Sequence, residues 1–266
     1  FCGASAVYPL LSNAVPAQVR YVITLDADTR LPRNAAVKLV GKMAHPLHQP
    51  QFCPQQQRII AGYAILQPRV TPALALSGQS SRYLRLTSGP AGIDPYASAV
   101  SDLYQDLFAE GSFTGKGIYD VDAFSAALHG RVADNSMLSH DLFEGIYARA
   151  GLASDIEVVE DFPARYDVAV KRQHRWTRGD WQLLPWLYRA MFSRRVASAQ
   201  LPLLGGWKML DNLRRSLLAP AGFIAVTAAL LLPWPVAVNA SLLLLAVLLL
   251  PTFLMRRFSL LPRHSI

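Results

Sequence analysis

The sequence is poor in cysteine, short of acids in its second half, and without a nucleic-acid-binding or P-loop signature. Its two cysteines, Cys2 and Cys53, are too few and too far apart for a disulfide framework or a cysteine-based metal site. There are 18 Asp and Glu against 26 Lys and Arg, a net charge of +8. The imbalance is local: residues 1–164 hold 12 basic and 15 acidic residues, whereas residues 165–266 hold 14 and 3. The basic part also carries the longest apolar runs, so its charge points to a membrane surface or an anionic diphosphate rather than to nucleic acid. No RNP-like, zinc-finger or helix-turn-helix pattern competes, and nucleic acid is not an expected partner. A hydrophobic content of 52% over 266 residues excludes disorder and allows one sizeable core plus a further element. The chain opens at Phe1 with neither an initiator methionine nor a signal-peptide pattern, and reads as an excerpt of a longer protein.

What is present is organised around Tyr21-Val22-Ile23-Thr24-Leu25-Asp26-Ala27-Asp28-Thr29-Arg30, an apolar run ending in two carboxylates. Such a run reads as a central parallel strand buried on both faces, with ligand-binding groups at its carboxyl end. Side chains alternate along an extended chain, so Asp26 and Asp28 share a side and can face one divalent cation. A solvated Asp-x-Asp turn would read the same way, and downstream sites have to decide between the two. Pro32 introduces an amphipathic helix over residues 35–43. Residues 45–58, rich in Pro and Gln, read as an exposed loop in which His45-x-x-His48 lacks a third ligand. Residues 59–67 read as a second strand closing on Pro68, and residues 73–86 and 97–108 as helices. Together these give an α/β rhythm.

Three further segments carry chemistry. Glu110-Gly111-Ser112-Phe113-Thr114-Gly115-Lys116-Gly117 lets backbone approach a ligand and supplies a cation, Lys116, although Gly117 stands where a P-loop needs Ser or Thr. In Ser139-His140-Asp141-Leu142-Phe143-Glu144, Ser139 caps a helix that places Asp141 in its first turn and Glu144 one turn on. The block Lys171-Arg172-Gln173-His174-Arg175-Trp176-Thr177-Arg178 offers guanidinium groups suited to a diphosphate and an indole suited to a sugar face. Residues 183–195 and 207–218 then read as interfacial amphipathic helices. The uncharged runs 216–232 and 236–254, each about 26 to 29 Å as helix, read as a transmembrane hairpin turning at Pro233-Trp234-Pro235. Arg214, Arg215, Arg256 and Arg257 put both outer ends on the cytoplasmic side.

In this order, the motifs resemble those of processive membrane glycosyltransferases of the cellulose-synthase type, with a GT-A fold. Arg172 stands where the Q-x-x-R-W signature of that group has Gln. The glycosyltransferase part of cyclic β-1,2-glucan synthases is more similar, through Thr24-Leu25-Asp26-Ala27-Asp28-Thr29-Arg30-Leu31-Pro32, residues 110–124 and His174-Arg175-Trp176-Thr177-Arg178-Gly179-Asp180-Trp181-Gln182. The resemblance implies an α/β, Rossmann-like, mostly parallel GT-A domain over residues 1–180 that lacks its N-terminal part. It also implies interfacial helices over 181–215, two transmembrane helices over 216–254 and a basic tail or linker over 255–266. Asp26 and Asp28 would bind Mg²⁺ or Mn²⁺, and Asp141 would be the general base. Arg175, Trp176, Arg172 and Lys116 would hold the donor diphosphate and the acceptor. The implied activity is inverting transfer from UDP-glucose to a growing β-1,2-glucan that is later cyclised, at a bacterial inner membrane with the catalytic domain cytoplasmic. The lipid bilayer and a phosphorylase-like C-terminal region of the same longer chain are the implied partners. Alternatives are another membrane glucosyltransferase making a linear or cellulose-like glucan, and a non-catalytic scaffold or transport subunit.

Overall fold

The computed structural model describes residues 18–73, 102–132, 137–138, 140–161, 163–192 and 201–260, in two compact units, Phe1–Leu210 and Asp211–Ile266. The first is built on a five-stranded sheet of order β1-β6-β5-β7-β2. Its strands are β1 (Tyr21–Thr24), β2 (Thr29–Arg30), β5 (Ile65–Pro72), β6 (Gly117–Asp120) and β7 (Ala150–Glu160). A two-stranded ribbon pairs β3 (Gln51–Cys53) with β4 (Arg58–Ala61).

The sheet corrects the expected topology, because it is mostly antiparallel. β1–β6, β6–β5 and β7–β2 run antiparallel, and only β5–β7 is parallel. Among the described residues β1 is an edge strand, half-buried along its length, rather than a central one. The reason is that both of its faces are apolar for local causes. Tyr21 and Ile23 pack toward α1 (Ala35–Met43), and Val22 packs toward Ile65 and Tyr119 on the other face. A run that is apolar on both faces reports two covered faces, and says nothing of the direction of the neighbouring strand.

Two layers of helix cover the sheet. On one face Ala35, Leu39 and Met43 of α1 meet Leu66, Ile118, Ala153 and Ile156. Full burial of a side chain such as Leu39 contributes about 1.5 to 3 kcal/mol. On the other face Phe124 and Ala127 of α3 (Val121–Leu128) join Ile59, Ile65, Phe113, Tyr119 and Ala150. The expected strand over residues 59–67 is two strands, broken at Gly62, whose φ is +64°. β5 also passes through Pro68, because the ladder slips between Pro68 and Arg69, where no N–H is needed.

The other helices of the first unit are α2 (Leu103–Phe108), α4 (Asp141–Tyr147), α5 (Tyr166–Gln182) and α6 (Leu184–Phe192), followed by the start of α7 (Leu203–Ala229). The expected helix over 73–86 beyond Ala73, the first residues of the one over 97–108 and Ser139 lie outside the described residues. The second unit contains the remainder of α7 and α8 (Trp234–Leu260).

Here the expected transmembrane hairpin is overturned: among the described residues no helix is long and apolar enough to cross a membrane. α7 carries Lys208, Asp211, Arg214 and Arg215 in its first half and Pro220 in its second. The apolar remainder, residues 216–229, spans about 21 Å, against a hydrocarbon thickness of about 30 Å. α8 begins at the Trp234-Pro235 break and carries Asn239 and Ser241 within its first three turns.

Candidate active site

The site lies where the turn after β1, the glycine-rich loop before β6, the N-terminus of α4, the end of β7 and one face of α5 converge. Asp26 and Asp28 sit in a tight turn closed by Thr29 N–H donating to the Asp26 carbonyl at 3.0 Å. That turn is fastened to the end of β7. Thr29 pairs with Glu160, Asp161 N–H donates to the Asp28 carbonyl at 3.0 Å, and Arg30 donates to both Asp161 carboxylate oxygens at 2.8 and 3.0 Å. The two acids therefore share a side through a turn, and not through strand alternation. The fastening also brings in Glu160, whose carboxylate oxygen lies within 4.8 Å of those of Asp26 and Asp28.

Lys116 enters from the glycine-rich loop. Gln67, fully buried in β5, shapes that loop: its Oε1 accepts from Thr114 N–H at 3.0 Å and from Thr114 Oγ1 at 3.2 Å, while its Nε2 donates to the Pro68 carbonyl at 2.9 Å. Gly117 must be glycine for a simple reason, since a Cβ there would stand 2.4 Å from the Leu66 carbonyl oxygen. The buried Lys116 Nζ lies 2.8 Å from Asp26 and 3.3 Å from Glu160. Burial opposes its charge, but the two carboxylates outweigh burial and hold the ammonium above the usual lysine range.

The basic block lies on α5, where Arg172, Arg175 and Trp176 share a face at spacings of three and four. Arg172 reaches back to Glu160, stands 3.7 Å from Asp28, and lies over the Trp176 ring at 4.5 Å. Arg175 is exposed and acts on the site through its field. The far end of α5 is tied down by Gln182, which accepts from Leu138 N–H at 2.8 Å just before α4.

Asp141 is the first residue of α4, with His140 rather than Ser139 at the cap position. α4 is anchored by Phe143, Ile146 and Tyr147, all buried, with the Phe143 ring edge-on to Trp186 at 5.5 Å. Burial and then the nearby Asp26 charge push the Asp141 carboxyl up, against the pull of Lys116, His140 and Arg175. One turn on, burial and Asp141 push Glu144 up to about 7. A half-buried carboxylate of raised basicity beside cations is the profile of a general base.

Each of the seven residues singled out from the sequence therefore falls in this region. Asp26, Asp28, Lys116 and Arg172 form one ion-pair network with Glu160; Trp176 joins through Arg172, and Asp141 and Arg175 through the shared field. His45 and His48 make local hydrogen bonds, His48 Nδ1 to the Lys42 carbonyl at 2.7 Å and His45 Nδ1 accepting from Leu47 N–H at 3.2 Å. Glu160 and Gln67 escaped sequence reasoning. Glu160 follows the short apolar stretch Ile156-Glu157-Val158-Val159 and reads from sequence as the start of the turn that ends it, and the one signal for Gln67 was a polar side chain amid apolar β5. The donor set suits a hard divalent cation, being all carboxylate oxygen. Asp26 and Asp28 are exposed, whereas both oxygens of buried Glu160 are taken by Lys116 and Arg172. The exposed pair is the part of this donor set left open to an ion.

Comparison with known proteins gives one relative. Over 216 residues, 81% of its length, the chain is 54% identical to cyclic beta-(1,2)-glucan synthase NdvB of Rhizobium meliloti (strain 1021). It spans 7% of the length of that relative. No protein-family model matches it.

Proposed function

Because the chain belongs to the cyclic β-(1,2)-glucan synthase family, as a segment of such a protein, we propose that it carries the sugar-transfer centre of a glucan synthase. The reaction is inverting transfer of glucose from UDP-glucose to a hydroxyl of a growing β-1,2-glucan, which is later cyclised. The observation that carries this reading is the convergence of Asp26, Asp28, Lys116 and Arg172 within one ion-pair network, with Asp141 across the loop.

Each group has a task in that chemistry. Asp26 and Asp28 would hold Mg²⁺ or Mn²⁺, which when bound offsets charge on the departing diphosphate. Lys116, Arg172 and Arg175 present fixed cations to the same developing charge. Asp141 takes the proton of the attacking hydroxyl, and its raised basicity suits it to that role. Trp176 offers an apolar face to the acceptor sugar.

The test is product analysis in membranes carrying the full synthase, supplied with labelled UDP-glucose. Labelled β-1,2-linked cyclic glucan should form, and both EDTA and Asp28→Ala should abolish it. A product of other linkage, or synthesis indifferent to both treatments, would refute the reading.

A further inference from the structure

Three carboxylates and two cations share this site, and their arrangement is unequal. Glu160 is 3% exposed, with one carboxylate oxygen against Arg172 and the other 3.3 Å from Lys116. Asp26 and Asp28 face solvent. Arg172 is drawn to Glu160 and stands off Asp28 at 3.7 Å, while Lys116 is shared between Glu160 and Asp26. Three negative charges against two positive ones leave one in excess, at the exposed pair. Were Glu160 neutral, two acids would face two cations, Arg172 would close on Asp28, and little charge would remain to attract a divalent ion.

We propose that Glu160 is a positioning residue: a buried counter-ion that keeps Arg172 off Asp28 and shares Lys116 with Asp26, so that the Asp26–Asp28 pair stays open to a divalent cation. Cations serving a diphosphate and acids serving a metal would otherwise neutralise each other at this range. Glu160 lets both sets stand within one small site. The inference rests on the reading of Asp26 and Asp28 as metal ligands, and extends it to a residue that does not itself hold the ion.

Mn²⁺ binding to the full-length synthase in detergent, followed by electron paramagnetic resonance, tests the role without relying on turnover. Glu160→Gln should weaken Mn²⁺ affinity at least tenfold. The double variant Glu160→Gln with Arg172→Gln should recover most of that loss, because the cation that would close on Asp28 is gone. A direct ligand role for Glu160 predicts no recovery, and that result would overturn the proposal, as would unchanged affinity in Glu160→Gln. If Asp28→Ala binds Mn²⁺ as the unaltered protein does, the failure lies instead with the metal reading of the pair. If Glu160→Gln does not accumulate, Glu160→Asp, which keeps the charge, should accumulate and bind Mn²⁺ within a few-fold of the unaltered protein. Failure of both variants to accumulate would make Glu160 a folding residue and end the proposal.

Discussion

Gly115 and Asp141 are in contact distance across the site: a Cβ at Gly115 would stand 3.1 Å from Asp141 Oδ1 and 3.2 Å from its Cγ and Oδ2. Gly115 has φ +85°, in the left-handed region. Both facts call for glycine, one because L side chains disfavour that backbone by about 1 to 2 kcal/mol, the other because the carboxylate occupies the space. Gly115→Ala should leave the protein abundant, since its strain is small beside the buried core, yet lower glucan synthesis at least tenfold by displacing Asp141. Synthesis rate per unit of protein in membranes checks it, and an unaltered rate would contradict the placement of the base.

On the proposed reading Asp141 is the proton acceptor, and Asp141→Asn removes it while keeping shape. General-base catalysis contributes about 10² to 10⁴-fold, so transfer from labelled UDP-glucose should fall by that order, with UDP-glucose binding kept near its original strength. Equal loss of binding and turnover would show instead that Asp141 holds the donor.

Glu144 offers a pH-dependent readout. Its folded-state pKa of about 7 stands above the ordinary 4.5, so between these values the folded state binds more protons than the unfolded one. The stability it contributes therefore falls as pH rises from about 4.5 to about 7, and the cost of ionising it is fully present above that. That cost is on the order of 3 kcal/mol. Glu144→Gln should remove much of this slope, and at pH 8 the amides of α4 should exchange more slowly with deuterium. Asp141, pushed in the same direction, contributes a slope of the same sign. Unchanged α4 protection at pH 8 would count against the buried-carboxylate description.

Legibility from sequence followed the range of the interaction. Asp141 in a first helical turn and α1 after Pro32 depend on near neighbours, and spacing alone reveals them; Arg172, Arg175 and Trp176 were legible by residue type, whereas the helix that gives them one face was not read from the sequence. Glu160 beside Asp28 depends on the pairing of β2 with β7, which joins residues far apart in the chain. The direction of β6 beside β1 is likewise a tertiary choice, invisible in the apolar run of β1. The membrane expectation failed where uncharged runs were read apart from the helices containing them. α7 extends the first run backwards through Lys208, Asp211, Arg214 and Arg215.

Lys208 shows how α7 bears on the site from outside it. Its ammonium, 3% exposed, donates to the Glu110 carbonyl at 3.2 Å, the Glu110 carboxylate at 3.1 Å and the Gly111 carbonyl at 2.8 Å, with the Tyr104 ring 5.1 Å away. Burial pulls its pKa below the usual lysine range in spite of Glu110. All three acceptors lie at the root of the loop that carries Gly115 and Lys116. Replacing one partner of a buried pair strands the other, at a cost of about 3 to 5 kcal/mol. Lys208→Met should therefore expose residues 110–117 to protease and reduce glucan synthesis. Lys208→Met combined with Glu110→Gln should recover protease resistance in part, since no charge is left stranded. Limited proteolysis of the full-length protein, with cleavage sites read by mass spectrometry, separates the outcomes. Equal protection of residues 110–117 in Lys208→Met and the unaltered chain would mean that α7 does not hold the loop.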